Sequence, residues 1–156
     1  MVCLAALAMG ASLLAALPMQ AQGGDKFKAR LAPAPPLGLG ARGGPAASTF
    51  VAGIGNATAT LSGKKMTVTG SFEKMATPAT VAKVGLGITR GARLDLILDL
   101  AITKSPQATP PGTAGTLAGT FELTQAQIDG LKKEKMYIQI NSEGAPNGHL
   151  LGWLLK

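Results

Sequence analysis

The chain has 156 residues, of which 46% are hydrophobic and only 4% aromatic, and its formal net charge is +7. This length suffices for one domain with a real core, and 21 glycines and 10 prolines favour a turn-rich all-β domain with an aliphatic core. The single cysteine, Cys3, excludes an intramolecular disulfide and a thiolate metal cluster, and the few aromatic residues argue against a base-stacking module, so we expect no nucleic-acid partner.

The first 21 residues form an apolar segment without a charged side chain. The segment becomes polar from Gln20 onward, which is typical of a secretory signal peptide with Ala21 as the last residue removed. A run of about 18 apolar residues is also near the lower limit for a spanning helix, so an uncleaved membrane anchor is the alternative. Either interpretation places the predicted domain, residues 22–156, outside the cytoplasm: periplasmic or secreted, or held at the inner membrane by an N-terminal apolar helix.

Short strands are predicted after this segment. Phe27–Leu31 alternates apolar and basic side chains, which indicates a half-buried strand. The Pro/Gly-rich run Ala32–Ala47 is predicted to be a loop or an extended edge segment. Period-two alternation on both arms of Ala57–Phe72, around Gly63-Lys64, predicts a β-hairpin with threonine on its outer face.

Two further strands follow, at Val81–Thr89 and along an apolar stripe from Leu94 to Ile102. Asp95 and Asp99 lie on the opposite face of the second of these strands. Paired carboxylates can support acid–base or metal chemistry. Four residues along a strand cover about 13 Å, which is too far for two carboxylates to share one ion, so we interpret these aspartates as a solvated face.

The end of the chain has the most specific pattern. After a Pro/Gly-rich loop and a strand at Leu117–Leu123, Thr124 begins a capping box, with Gln127 at the third position of a short helix. Ile128 and Leu131 give that helix its apolar side.

A final pair of strands is predicted at Met136–Asn141 and Leu150–Leu155, with Asn147-Gly148 as the hairpin turn between them. The whole chain then has about seven short strands, one short helix and no alternation of strands with helices. This pattern predicts an all-β fold, a Greek-key β-sandwich.

Side chains able to carry chemistry are few. The only histidine, His149, follows the predicted turn, and we interpret it as a solvated turn residue rather than a metal ligand. With one histidine and no usable cysteine, no nucleophile–base set is supported. Tyr137 and Trp153 lie in predicted strands and are expected to pack in the core or at its edge. We therefore expect no catalytic residues, no cofactor and no metal site.

The C-terminal motifs resemble the CHRD domain, a module first noted in chordin and widespread in bacterial secreted proteins. The resemblance spans about Phe27–Leu155 and implies an immunoglobulin-like or Cu,Zn superoxide dismutase-like β-sandwich. The matching residues are Leu123-Thr124, Leu131, Tyr137-Ile138-Gln139-Ile140-Asn141-Ser142, Pro146-Asn147-Gly148 and Gly152, with Gly70-Ser71-Phe72 and Thr77–Leu98 upstream.

The chain departs from the family pattern at its histidines. The family commonly carries His-x-His on a middle strand, after an alanine, where this chain has Ala82-Lys83-Val84-Gly85. A later family histidine corresponds to Asn141, and the closing acidic residue and arginine correspond to His149 and Leu151. The resemblance therefore implies a degenerate member that lacks the family histidines and keeps the sandwich, and it does not imply retained metal chemistry.

These observations favour a non-enzymatic, extracytoplasmic domain that binds another protein. The leucine-rich C-terminus is the candidate interaction surface: Leu150, Leu151, Trp153, Leu154 and Leu155. A retained anchor would make the chain an accessory or structural subunit of an integral membrane complex. The alternative is a metal-dependent (Cu/Zn) dismutase-like enzyme, which the missing histidines disfavour. A third hypothesis is salt-sensitive binding of an anionic surface or polysaccharide through scattered lysines.

Overall fold

The computed structural model describes residues 23–34 and 52–156, so the predicted leader, residues 1–21, and most of the predicted loop at 32–47 lie outside the described residues. The described part is an all-β fold of eight antiparallel strands and one short helix. Within it, no helix is long and apolar enough to cross a membrane. The elements are β1 Asp25–Pro33, β2 Ile54–Ser62, β3 Lys65–Glu73, β4 Ala79–Leu86, β5 Asp95–Lys104, β6 Gly115–Glu122, α1 Gln125–Lys132, β7 Met136–Ser142 and β8 Ala145–Trp153.

The strands close into a barrel-like sandwich in the order β1-β2-β3-β6-β5-β4-β7-β8. The chain crosses an end of the barrel twice, from β3 to β4 and from β6 through α1 to β7. The sandwich has two sheets, and β1 and β5 take part in both. β5 pairs with β4 in one sheet and with β6 in the other. β1 pairs with β2 in one sheet and, through Ala32 and Pro33, with β8 in the other. Closure leaves the described strands without an open sheet edge, which protects them from edge-to-edge pairing.

The core is filled by alternate residues of the strands, as the period-two patterns predict. Phe27, Ala29 and Leu31 of β1 are buried between exposed Lys26, Lys28 and Arg30. The hairpin at Ala57–Phe72 is confirmed, with Ser62 paired to Lys65 around the predicted turn. Full burial of each Leu or Phe side chain contributes about 1.5–3 kcal/mol, so this aliphatic interior is the main stabilising feature.

Helix α1 has the capping box predicted from the sequence. The Thr124 hydroxyl accepts a hydrogen bond from the Gln127 backbone N–H at 3.3 Å, and Gln127 Oε1 accepts one from the Thr124 N–H at 2.9 Å. Ile128 and Leu131 are buried, as predicted. The helix lies over the end of the barrel where β6 finishes and β7 starts, and Gly130 lies against the side chain of Leu86.

The turn between β7 and β8 differs from the sequence prediction. Ser142 pairs with Ala145, so the turn is formed by Glu143 and Gly144. The predicted turn residues Asn147-Gly148 lie inside β8, where Gly148 has a φ of +130°. The positive-φ preference that makes Asn-Gly a turn signal is used here by an irregular strand, next to the register shift between β7 and β8.

Candidate functional site

The positions that the resemblance matches to family histidines lie together on the outer face of the β4–β7 pair. Ala82 and Val84 of β4 point into the core, so Lys83 and Gly85 have outward positions. Lys83 pairs with Gln139 and Gly85 pairs with Tyr137 on β7, and Asn141 is the next outward position along β7. The structure therefore brings together three positions that the sequence separates by almost 60 residues.

A polar row crosses this outer face. Asp99, Lys83 and Gln139 are successive cross-strand partners on β5, β4 and β7, and the apolar Leu151 of β8 pairs with Gln139 at the end of the row. Lys83 Nζ lies 2.9 Å from Asp99 Oδ1, but the Asp99 side chain is 77% exposed, so solvent screening leaves this pair little net stability. Asp95 is also exposed, but it does not share the face of Asp99 as the sequence predicted. A register shift in the β4–β5 pairing sets Leu96, rather than Asp95, opposite the outward Gly85.

Gln139 is the centre of a hydrogen-bond network on this face, and it is only 5% exposed. Its Oε1 accepts a hydrogen bond from Arg93 Nη1 at 3.3 Å. Its Nε2 donates to Asn141 Oδ1 at 2.8 Å and to the Asn147 carbonyl at 3.4 Å. The network uses the carbonyl oxygen and the amino group of the amide, so it orients Gln139 and also holds the irregular part of β8.

The network forms the polar side of a groove of about 320 Å³, whose other wall is apolar. Sequence reasoning did not identify this groove, because Arg93 and Asn147 reach it from a loop and from a strand irregularity. The lining residues are Arg93, Leu94, Leu96, Tyr137, Gln139, Asn141, Pro146 and Asn147.

An aromatic pair occupies the next row of the outer face. Tyr137 and Trp153 are cross-strand partners with ring centroids 5.0 Å apart and planes tilted by 50°. A Cβ at Gly85 would collide with the Tyr137 ring, so this ring lies directly over Gly85. The Tyr137 hydroxyl donates to the Leu94 carbonyl at 3.3 Å, and burial raises the pKa of Tyr137. The predicted packing role of both aromatic residues is therefore confirmed, with Trp153 half-buried at the edge.

His149 is not the solvated turn residue that we predicted from the sequence; it is 1% exposed. The prediction is wrong because Asn147-Gly148 lies within β8, which turns the next side chain inward. His149 Nε2 is 2.7 Å from the Ala52 carbonyl and Nδ1 is 2.5 Å from Ser142 Oγ. A carbonyl can only accept, so Nε2 donates to Ala52, and in the neutral ring Nδ1 accepts from the Ser142 hydroxyl.

The Ser142–His149 contact resembles a nucleophile–base pair, but its surroundings prevent that role. Ser142 is 1% exposed, and its oxygen accepts hydrogen bonds from the Thr77 hydroxyl at 2.8 Å and the Ala145 N–H at 3.1 Å. Donating to His149 as well, Ser142 has no hydrogen-bonding capacity left for substrate. The chain of hydrogen bonds from Thr77 to Ala52 instead connects the β3–β4 loop, β7, β8 and the segment that precedes β2. Ala52 and His149 are 97 residues apart, so no local sequence signal indicates this contact.

The five predicted interaction residues divide between the two faces of the C-terminal strand. Leu150 and Leu154 are 0% exposed, so they belong to the core and cannot form an interaction surface. Successive strand residues point to opposite faces, and the remaining three, Leu151, Trp153 and Leu155, are therefore half-buried on the outside. The candidate surface narrows to these three side chains.

The donors on the outer face do not fit a copper or zinc centre. Copper and zinc sites are built from imidazole, thiolate or carboxylate groups. Here Lys83 pairs with Asp99, Asn141 bonds to Gln139, and position 85 has no side chain. Across residues 23–34 and 52–156, no group of three or more His, Cys, Asp or Glu could hold a metal ion. The one imidazole of the chain is inside the barrel.

The fold and this face define a closed all-β module whose outer polar groups bind one another. The family model of the CHRD domain matches residues 39–154, and the chain therefore belongs to the CHRD-domain family. This match confirms the resemblance seen in the C-terminal motifs. Searches of curated proteins and of solved structures each found no match.

Proposed function

We propose that this chain is a non-enzymatic, extracytoplasmic CHRD module that binds another protein through the outer face of β8 and the adjoining Leu155. The observation that carries the proposal is the row of Leu151, Trp153 and Leu155, which stay half-buried at alternate positions beside the polar network. Apolar patches rimmed by polar groups are typical of protein-interaction sites, and tryptophan is enriched among the residues that dominate binding energy.

The environment of His149 supports a binding role over a catalytic one. A dismutase-like enzyme requires imidazoles that reach a metal ion at the surface, whereas the single imidazole of this chain bonds to Ser142 and Ala52 in the interior. The crossovers from β3 to β4 and from β6 to β7 support the finer fold assignment, a Greek-key sandwich of the immunoglobulin-like or dismutase-like kind. Such a fold hosts many functions, so the likeness alone does not support dismutase activity.

Residues 1–21 decide the form in which this module acts. If they are cleaved after Ala21, we expect a periplasmic or secreted domain without a cofactor. If they are retained as an anchor, we expect an accessory or structural subunit of an integral membrane complex. Purification in detergent from the native host separates these forms, and recovery only as a free monomer cleaved after Ala21 would contradict the subunit version.

Site-specific photo-crosslinking in the native host tests the interaction surface. A photoreactive amino acid is placed at Leu151 or Leu155, and at the exposed Thr69 of β3 as the matched control. We expect one defined protein adduct from positions 151 and 155 and none from position 69. The same adduct pattern from all three positions, or no adduct from β8, would rule out this face as the specific contact.

A further inference from the structure

Basic side chains that are scattered along the sequence gather at one end of the barrel. We call it the α1 end: it is where β1 begins, where the β2–β3 turn lies, and where β8 finishes. Asp25 pairs with Leu61, and Lys65 pairs with Glu122, so these strand ends share one side of the molecule. The backbone N–H of Leu123 bonds to the Lys64 carbonyl, which places α1 at that side too.

The charge of the described chain is concentrated at the α1 end. Five acidic residues lie there, namely Asp25, Asp95, Glu122, Asp129 and Glu134. Nine basic residues lie there, each exposed or half-buried: Lys26, Lys28, Lys64, Lys65, Arg90, Lys132, Lys133, Lys135 and Lys156.

The opposite end of the barrel is balanced. Lys74 and Lys104 there are matched by Glu73 and Glu143. The excess of basic charge is therefore a feature of the α1 end that the opposite end does not share. A one-sided basic surface of this kind is complementary to an extended anionic surface.

The acidic residues of the α1 end neutralise only part of its basic charge. Lys156 Nζ lies 2.7 Å from Asp25 Oδ1, and Arg90 Nη1 lies 3.7 Å from Glu134 Oε2. These ion pairs are exposed and weak. The pairs Lys64-Lys65 and Lys132-Lys133 carry most of the remaining charge, one on the hairpin and one at the C-terminal end of α1.

Apolar groups accompany the basic residues. Ile88 follows the end of β4 at the α1 end and is 59% exposed. The Trp153 ring lies against Gly87, directly beside Ile88. Isoleucine penetrates an acyl-chain boundary readily, and tryptophan prefers the headgroup level of a bilayer.

The path of the chain connects the N-terminal segment to this end of the barrel. β1 starts at Asp25, so the uncharged, apolar residues 1–21 enter the described domain at the α1 end. A membrane that holds or receives the apolar segment would face the basic residues of this end. The contact would meet the β8 surface at Trp153 and leave Leu151 available for a protein partner.

We infer that the α1 end is a docking surface for an anionic phospholipid bilayer, with the lysines over the phosphate headgroups and Ile88 at the acyl boundary. The inference rests on the basic surface and goes beyond the protein-binding role of β8. Each basic residue close to an anionic bilayer contributes about fivefold to the binding constant, from about 1 kcal/mol per residue. Several lysines together are therefore enough to orient the module on a membrane.

Energy transfer from Trp153 measures this docking with the full chain, because Trp153 is the only tryptophan. The acceptor is a dansyl-headgroup lipid in vesicles of phosphatidylcholine alone or of equimolar phosphatidylcholine and phosphatidylglycerol. Vesicle flotation reports attachment by the apolar segment, and the difference in transfer between the two compositions reports docking. We expect strong transfer only on the anionic vesicles, with a decline as salt rises.

Charge-reversal variants locate the contact. Lys132→Glu with Lys133→Glu should weaken binding to anionic vesicles at least about 25-fold, because two attractive charges are lost and two repulsive ones are added. Lys26→Glu with Lys28→Glu provides a second test on β1. Lys74→Glu with Lys104→Glu makes the same charge change at the opposite end and should leave binding within about twofold.

Three results would overturn the inference: equal transfer on both vesicle types, equal weakening by the control variant, or tighter binding to a random DNA duplex than to the anionic vesicles. A thermal unfolding transition confirms that each variant is folded before its binding to vesicles is compared. The crosslinking pattern from Leu151 is independent of these results, so the protein-binding proposal and the docking inference can fail separately.

Discussion

Tyr137 packs against Gly85, its cross-strand partner, on the outer face of the β4–β7 pair. The resemblance to the CHRD pattern matches Gly85 to a histidine position, and the ring occupies the volume beside it. Packing of the ring against this position contributes to the stability of the outer face.

Gly85→Ala should destabilise the fold, because its Cβ would collide with the Tyr137 ring. We expect the free energy of unfolding in urea to fall by about 1–3 kcal/mol, the usual cost of overpacking. Gly23→Ala is the control, since a Cβ there meets no atom within 4 Å. A Gly85→Ala protein as stable as the control would show that the ring moves aside easily.

Tyr137 should ionise above the usual phenol range near 10 in the folded chain, because burial raises its pKa. The folded state then holds this proton more tightly than the unfolded state. Its contribution to stability is complete below about pH 10 and is lost as the pH rises through the folded pKa. Phenolate absorbance reports this residue alone, because it is the only tyrosine. Identical titration of the native and urea-denatured chains would contradict the burial.

Ser142→Ala should remove the donor to His149 Nδ1 and the acceptor for Thr77 and Ala145. Buried groups left without a partner cost about 1–3 kcal/mol, which chemical denaturation can measure. Ser71→Ala on the exposed face of β3 is the matched control and should change stability by less than about 0.5 kcal/mol. Equal effects of the two substitutions would mean that the buried chain of bonds contributes nothing.

Gln139→Leu keeps the approximate volume of the side chain but leaves Asn141 Oδ1 and the Asn147 carbonyl without their donor. We expect a loss of about 1–3 kcal/mol in the free energy of unfolding. Gln125→Leu on the exposed surface of α1 controls for the substitution itself, and its effect should be several-fold smaller. If Gln139→Leu were neutral, the polar network would be a surface feature without a structural role.

The sequence predicts the features that depend on neighbouring residues. The hairpin at Ala57–Phe72 follows from alternation around a two-residue turn, and both are local. The helix after Thr124 follows from a capping box that spans four residues. The CHRD motifs similarly identify the family, because they are short runs in the C-terminal strands.

The features that the sequence does not predict depend on the register of the strand pairs and on closure of the barrel. Asn147-Gly148 satisfies a turn pattern, but pairing of Ser142 with Ala145 places the turn earlier. The burial of His149 follows from that register and from a carbonyl 97 residues away. The basic residues look dispersed along the chain because Lys26, Lys65 and Lys132 meet only after the barrel closes.

Metal content tests most directly the central claim that this CHRD module has no metal-dependent chemistry. The full-length protein from its native host is incubated with copper and zinc, dialysed and analysed for both metals. We predict far less than one equivalent of either metal per chain, because the outer face offers Lys83, Gly85 and Asn141 in place of imidazoles. One retained equivalent of copper or zinc, together with superoxide removal, would contradict the account.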